Sequence, residues 1–336
     1  MVPALAVADE LRTDGSQVVF AGGERAEAQL VPAAGYPLAS FRVQGLSRTN
    51  PLKALVALAR ALGAAVKAWR LIGALEPDVV MGGGGYVAGP VGLAAILRRR
   101  PLVLTEADSH LGLTNRLLAP FSHRVALAFA IPGRGLPRYV VTGRPIPPPA
   151  GDRQAAREHF GIPDGRPLVV VVGGSLGARS INEAAIAAFG QDDGVEVIHA
   201  AGERDLPALR GRPVVPAYRL FGYIDDFDLA LAAADVVVSR SGGSVFEIAA
   251  AGCPAVLVPY PYAAADHQAG NAAWMSGAGA AVVLDDDRLD GDLLAGTVKE
   301  LLAEPGQLAR MRAAALEIAR PGAAAEVADL VREAAA

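Results

Sequence analysis

The sequence predicts an α/β protein made of two doubly wound parallel-sheet domains, and three observations carry that prediction. Short apolar runs rich in Val, Leu and Ile alternate with helical stretches through both halves of the 336 residues, as expected of strands buried on both faces. Several runs end in Gly- or Ser-rich turns that lead into a helix, at 82–86, 173–178 and 239–244. Between the halves, residues 143–149 are Pro-rich, as inter-domain linkers tend to be. The expected layout is a first domain over 1–144, a linker over 145–150, a second domain over 151–322 and a closing helix over 323–336.

Composition narrows the class. Hydrophobic residues make up 52% and charged residues 20%, which argues for real cores and against disorder. Cys253 stands alone, so there is no disulfide framework and a reducing cytoplasm fits. Asp9, Glu10, Arg12 and Asp14 interrupt any early apolar core, so no signal peptide is expected. Residues 79–97 and 248–265 are uncharged and long enough to consider as membrane spans. Gly82 to Gly85, Gly89 and Pro90 break the first, and Gly252, Pro254, Pro259 and Pro261 the second. Both read as strand-loop-helix pieces of a soluble protein. Charge is uneven: through Arg144 there are 16 Lys/Arg and 9 Asp/Glu, a net +7, and the remainder holds 15 and 26, a net −11. A basic first half suits an anionic partner such as lipid headgroups or a phosphorylated acceptor; a merely uneven surface is the other reading.

In chain order, residues 3–11 read as a helix, 17–20 as a strand, and 30–37 with 41–43 as strand and connector. Residues 51–75 form a long helix with Leu52, Leu55, Ala59, Leu62, Val66 and Trp69 along one side. Lys53, Arg60 and Lys67 recur every seven residues beside that stripe, which fits an anionic membrane surface or an ordinary solvated face. After a strand at 78–81, four consecutive glycines exceed the need of a tight turn and point to backbone approach to a bulky ligand, with a helix opening near Pro90. A strand at 101–104 delivers Thr105, Glu106, Asp108, His110 and Asn115 to the carboxyl edge, where open α/β sheets bind ligands. Further strands are expected at 140–141, 168–172, 196–200, 218–221, 236–238, 255–258 and 281–284. The helix at 323–335 carries Glu326, Asp329 and Arg332 on its wet side.

The chain is organised around residues 234–259: a Val strand, the loop Ser239-Arg240-Ser241-Gly242-Gly243-Ser244, a helix, and the next strand. A strand, a small-residue loop and a helix N-terminus together make a diphosphate site, and Glu247 can accept hydrogen bonds from a ribose diol. An ordinary βα turn with a solvated first-turn acid is the competing reading. Gly173 to Ala178 carries the same two alternatives. If the two carboxyl edges face one another across a cleft, one wall holds the Gly82 loop with Glu106 and Asp108. The other holds the Ser175 loop, 241–247 and Asp266-His267-Gln268. No Cys/His cluster has zinc spacing. Asp225-Asp226 suits Mg²⁺ as an exposed carboxylate pair, or a capped helix start. Gly173 to Gly177 departs from G-x-G-x-x-G, against a dinucleotide oxidoreductase.

Six segments in order, GGGGYVAGP (82–90), the Glu106 segment ending Gly112-Leu113-Thr114-Asn115, GGSLGA (173–178), Gly222-Tyr223-Ile224-Asp225-Asp226, RSGGSVFEIAAAGCP (240–254) and DHQAGNA (266–272), resemble the MurG family, glycosyltransferase family 28, over essentially the whole chain. The resemblance implies the two-domain GT-B fold and no cofactor or metal. It implies inverting transfer of N-acetylglucosamine from UDP-N-acetylglucosamine to the 4-hydroxyl of MurNAc-(pentapeptide)-diphosphate-undecaprenol, in peptidoglycan synthesis. The enzyme would be peripheral on the cytoplasmic face of an anionic membrane, with no nucleic-acid partner. Matched by motif, Ser175 would contact the diphosphate and Ile224 would pack on the uracil through its backbone. Gly243, Ser244, Val245 and Phe246 would line the diphosphate, Glu247 would hold the ribose, and Gln268 the sugar. Asp108 and Asn115 would also bind substrate, and Gly84, Gly85 and Tyr86 would face the acceptor's diphosphate.

The departures are specific. Family members begin with a strand and a GGTGGH-type loop, whose His is the favoured base. This sequence opens just past that point, at Met1-Val2-Pro3, which reads as a start placed too late and leaves Glu106 as the candidate catalytic residue. Asp108 stands in place of a sugar-contacting Asn, Leu176 in place of Gln, and Pro147 where an Arg is expected. The loop from Arg240 to Glu247 is one residue shorter than the common pattern. These changes leave the acceptor open, with a related lipid acceptor or a non-catalytic donor-binding homologue as alternatives.

Overall fold

The computed structural model describes residues 1–24, 27–41, 51–174, 177–191, 194–263 and 266–336, with the backbone alone over 51–62. It divides into two compact units, Met1–Pro147 with Arg320–Ala336, and Pro148–Ala319.

The first unit opens on helix α1 (Val2–Arg12), then β1 (Phe20–Gly22), α2 (Glu27–Ala33) and β2 (Leu38–Ser40). Helix α3 (Pro51–Leu75) leads to β3 (Val80–Gly82), α4 (Gly85–Leu97), β4 (Leu102–Glu106), α5 (Leu113–Leu118), β5 (Arg124–Leu127) and β6 (Tyr139–Val141). Strands β1 and β2 pair in parallel, and β3-β4-β5-β6 form a second parallel sheet. Leu102, Leu104, Val125 and Leu127 are buried against Leu118 and Ala119, so β4 and β5 form the centre of this core.

Three expectations change here. Strand β1 lies at 20–22 rather than 17–20, and residues 27–33 are helical where a strand was expected. Leu30-Val31 is too short an apolar run to fix a period, and Val31 is the buried residue of that helix. Helix α4 starts at Gly85, five residues ahead of Pro90. Gly84 and Gly85 have φ of 75° and 77°, a conformation glycine adopts without strain, so the chain turns into the helix earlier than the proline signal suggests. On α3 the buried positions are Ala64, Ala68 and Ile72, while Val66 and Trp69 are exposed. The face turned to α4 is the one with small residues, because close helix approach needs them. Arg98, just beyond α4, lies 4.2 Å over the Trp69 ring. Lys67 donates to the Ser40 carbonyl at 2.5 Å and sits over the Phe41 ring. The side chains of Leu52, Lys53, Leu55, Ala59, Arg60 and Leu62 lie outside the described residues.

The second unit contains α6 (Arg153–His159), β7 (Leu168–Val172), α7 (Arg179–Phe189), β8 (Glu196–Ala200), α8 (Leu206–Leu209), β9 (Tyr218–Phe221), α9 (Phe227–Ala233), β10 (Val236–Ser239), α10 (Val245–Ala250) and β11 (Ala255–Leu257). Helix α11 (His267–Gly277), β12 (Ala281–Val283), α12 (Gly291–Ala303) and α13 (Pro305–Ile318) complete it. Its six parallel strands run β12-β11-β10-β7-β8-β9, the doubly wound order in which connections reverse direction between β7 and β10. Strand residues Val169, Val171, Val236 and Val238 pack with Ile181, Ile186, Phe189, Leu294 and Val298. At the amino edge, Asp235 accepts from Arg153 at 2.7 Å and from the Leu168 N–H at 2.9 Å, which pins β10 to β7.

Helix α14 (Ala323–Ala335) returns to the first unit, where Val327 and Ala328 meet Val7 and Ala126, and Val331 and Ala334 meet Val103. The two uncharged runs are divided, the first between β3 and α4 and the second among α10, β11 and the loop that follows. Among the described residues no helix is long and apolar enough to cross a membrane. Val327→Ala should cost about 1–3 kcal/mol in urea unfolding, whereas Glu326→Ala on the exposed side of the same helix should change stability by less than about 0.5 kcal/mol.

Candidate active site

Because all six strands of the second unit are parallel, the loops after β7, β9, β10 and β11 emerge on one edge. On that edge the β7–β10 boundary, where connections depart in opposite directions, is the place at which open α/β sheets bind ligands. Two Gly-rich turns flank it, at 173–178 and 240–244. The first is close-packed: a Cβ on Gly173 would meet the Ala178 N at 2.3 Å, and one on Gly177 (φ 75°) the Ala201 carbonyl oxygen at 2.1 Å. Ser175, expected on the diphosphate, and Leu176 lie outside the described residues.

The second turn is held by two polar anchors that sequence reasoning did not single out. Arg240, 8% exposed, pairs with Asp286 at 2.6 Å and donates to the Val258 and Pro259 carbonyls and to Ser180 Oγ. One guanidinium thus ties the ends of β10, β11, β12 and the start of α7. Asn271 of α11 donates to the Ser241 and Gly242 carbonyls at 2.9 and 3.3 Å, and Ser241 Oγ donates to the Gln268 carbonyl at 2.7 Å. Asn271 sits one turn after Gln268 on α11, the one sequence signal that it shares that face. Nothing local marks Asp286 as the partner of an arginine 46 residues earlier.

Gly243, Ser244, Val245 and Phe246 therefore form a clamped turn into α10, in which the Val245 and Phe246 N–H groups reach the Gly242 and Gly243 carbonyls at 3.4 Å. Val245 and Phe246 are buried and Glu247 is half-buried. Gln268 Oε1 accepts from the Tyr260 N–H at 2.9 Å, which fixes the amide so that its NH₂ is turned the other way. Ile224, in the loop after β9, is buried.

In the first unit, β3 and β4 are neighbours, so the Gly82 loop and Glu106 share an edge. Glu106 is buried. Its Oε2 accepts from the Gly112 N–H at 2.8 Å and Asn115 Nδ2 at 2.9 Å, and its Oε1 from the Asp108 N–H at 3.3 Å. A carboxylate so engaged braces its own loop, an arrangement unlike that of a free base. Asn115 also donates to the Thr105 carbonyl, while its buried Oδ1 has no hydrogen-bond partner. Gly84 packs near Asn115 Nδ2, and Thr114 Oγ1 donates to the Gly85 carbonyl at 3.2 Å. Asp108 is half-buried and Tyr86 is 68% exposed. Among the described residues no group of three or more His, Cys, Asp or Glu is arranged to hold a metal.

Beneath the first turn lies His199. Its Nε2 is 3.0 Å from Asn182 Oδ1 and its Nδ1 2.7 Å from the Tyr218 hydroxyl. Burial lowers its pKa from 6.5 to about 4. The folded state thus disfavours a proton that the unfolded chain takes up below about 6.5. Stability from this group is present above that pH and is lost as pH falls towards 4. Urea unfolding of the parent should weaken across that window, and His199→Gln should flatten that part of the profile.

The family models for the glycosyltransferase family 28 N-terminal and C-terminal domains match residues 1–127 and 168–331. UDP-N-acetylglucosamine–N-acetylmuramyl-(pentapeptide) pyrophosphoryl-undecaprenol N-acetylglucosamine transferases are similar throughout. That of Moorella thermoacetica is 42% identical over 96% of this chain and 92% of its own length. That of Halorhodospira halophila is 42% identical over 98% and 94%. Acinetobacter baumannii MurG matches with a TM-score of 0.76 at 30% identity, over 98% of this chain and 95% of that one. The calicheamicin glycosyltransferase CalG4, at 20% identity and a TM-score of 0.73 over 99% and 94%, shares the fold. The two α/β units with parallel sheets and the near-full-length likeness agree, and the chain belongs to glycosyltransferase family 28, in the MurG family of GT-B proteins.

Proposed function

We propose that this protein is an inverting transferase that moves N-acetylglucosamine from UDP-N-acetylglucosamine to the 4-hydroxyl of undecaprenyl-diphosphate-linked N-acetylmuramyl-pentapeptide. The observation that carries the reading is the pair of clamped Gly-rich turns at the β7–β10 boundary, in a chain whose relatives bear that activity in their names. The acceptor hydroxyl oxygen attacks the anomeric carbon and gives up its proton to the surrounding water, the bond from that carbon to the diphosphate oxygen breaks, and UDP leaves with the electron pair. Charge growing on the diphosphate meets the N–H groups at the starts of α7 and α10, whose dipoles favour it.

Within that reading Gly243 to Phe246, with Ser175, line the diphosphate. Glu247 accepts from the ribose hydroxyls, and Ile224 offers its backbone to the uracil. Gln268, with Oε1 held by Tyr260, has its two amide N–H groups left for oxygen atoms of the sugar. We assign Glu106 the bracing of the loop that carries Asp108 and Asn115 rather than proton transfer, since three donors already occupy its carboxylate. Gly84, Gly85 and Tyr86 are assigned to the acceptor's diphosphate.

The acceptor's lipid calls for a membrane contact, and the first unit offers one. Leu93 and Leu97 of α4 and Leu113 and Leu117 of α5 are exposed, as are Phe121 and Tyr86. The two helices pack together through Gly92 against Leu118, and each leucine pair, four residues apart, shares a face of its own helix. With a net +7 over residues 1–144, that surface suits peripheral attachment to an anionic leaflet.

Incubation with UDP-N-acetylglucosamine and the lipid acceptor should release UDP and lengthen the lipid-linked sugar, whereas UDP binding without turnover would favour a donor-binding homologue. Glu247→Ala should weaken UDP binding by about 1–3 kcal/mol in calorimetry, and an unchanged affinity removes Glu247 from the site. Leu113→Ser with Leu117→Ser should reduce sedimentation with anionic vesicles while UDP affinity stays the same; undiminished sedimentation argues against this face.

A further inference from the structure

The buried chain Tyr218–His199–Asn182 takes no part in the transfer outlined above, yet it ends at the carbonyl against which Gly177 packs. His199 is fully buried in β8, Tyr218 lies beside it at the start of β9, and Asn182 is on α7. Asn182 donates through Nδ2 to the Ala201 carbonyl at 2.9 Å and to Asp205 Oδ2 at 3.2 Å. That carbonyl is the atom on which Gly177 is seated, since a Cβ there would lie 2.1 Å from it.

We propose that Tyr218, His199 and Asn182 are positioning residues for the donor diphosphate: they hold the Ala201 carbonyl and the first turn of α7 where Gly177 can seat, and so set the phosphate-binding turn. The inference rests on the donor-site reading above.

The hydrogen bonds allow one arrangement. Asn182 Nδ2 must donate to a carbonyl, so its Oδ1 accepts, and His199 Nε2 carries the proton. His199 Nδ1 then accepts from the Tyr218 hydroxyl. Reversing the Asn182 amide would set two oxygens against one another at Ala201 and abandon Asp205, so the network fixes amide, tautomer and hydroxyl together. An apolar trio of equal volume would pack β8, β9 and α7 as well but would leave the Ala201 carbonyl without its donor. Loop position, rather than core volume, is what the polar atoms add. Asp205 is itself engaged by Arg204 at 2.8 Å, so the far end of the chain is also anchored.

The test compares His199→Phe, His199→Gln and Tyr218→Phe with the parent, by UDP calorimetry and by initial rates against donor and acceptor separately. The expected result is a Kd for UDP and a donor KM raised about tenfold in His199→Phe and about threefold in Tyr218→Phe. Acceptor KM should be unaltered, and His199→Gln, which can donate and accept, should restore most of the affinity. Lost volume or lowered stability would not raise donor KM alone. Folded His199→Phe that binds UDP like the parent overturns the inference, as does His199→Gln that is no better than His199→Phe. If His199→Phe does not fold, Asn182→Asp carries the test: it keeps the shape but removes the donor to Ala201, and parental UDP affinity there is equally fatal. A parent that fails to bind UDP removes the donor-site reading itself, and this inference with it.

Discussion

The register of β7 against β10 is the constraint on which the site depends. Val169 to Val172 stand opposite Val236 to Ser239, so the two strands end level and their turns leave side by side. Each strand is buried on both faces, and a slip of one residue would exchange the faces of a four-residue apolar run. Asp235 fixes the other end of the same pair by accepting from the Leu168 N–H. With both ends fixed, the loops that lead into α7 and α10 leave the same edge from adjacent strands.

The polar residues around these turns divide by burial. Arg240, Asn271 and Asn182 are buried and spend their donors on carbonyls and on Asp286, Ser180 or Asp205. Glu247 and Gln268 are more exposed. Truncating a buried member would leave a stranded partner, which costs more than the lost bond alone. Buried members therefore set geometry, and Glu247 and Gln268 stand nearer the solvent from which a ligand arrives. Glu106 falls in the first group by the same criterion.

Much of the architecture was legible because its signals are local. The Val runs at β7 and β10, the Gly turns behind them and the Ala-rich α14 each announce themselves within a dozen residues. What was not legible depends on contacts far apart in the chain. Arg240 needs Asp286, His199 needs Asn182 and Tyr218, and no periodicity predicts such pairs. Within strand β8, His199 reads as a lone polar residue between Ile198 and Ala200. Helix α3 was misjudged for a related reason: its apolar residues cover more than one face, and the sequence alone does not say which face meets α4.

That misjudgement bears on the outer surface of the first unit. The seam between α3 and α4 is made of Ala64, Ala68, Ala94 and Ala95, and the one between α4 and α5 includes Gly92 against Leu118. Small residues let the backbones close up, and that leaves Trp69, Leu93, Leu97, Leu113 and Leu117 nowhere to go but outward. Exchanging large and small residues between the inner and outer faces would bury more apolar surface and yield a more water-compatible exterior. The arrangement observed does the opposite over α3, α4 and α5. Exposed apolar side chains grouped in this way mark interaction surfaces, and the lipid contact proposed for the first unit is one that would cover them.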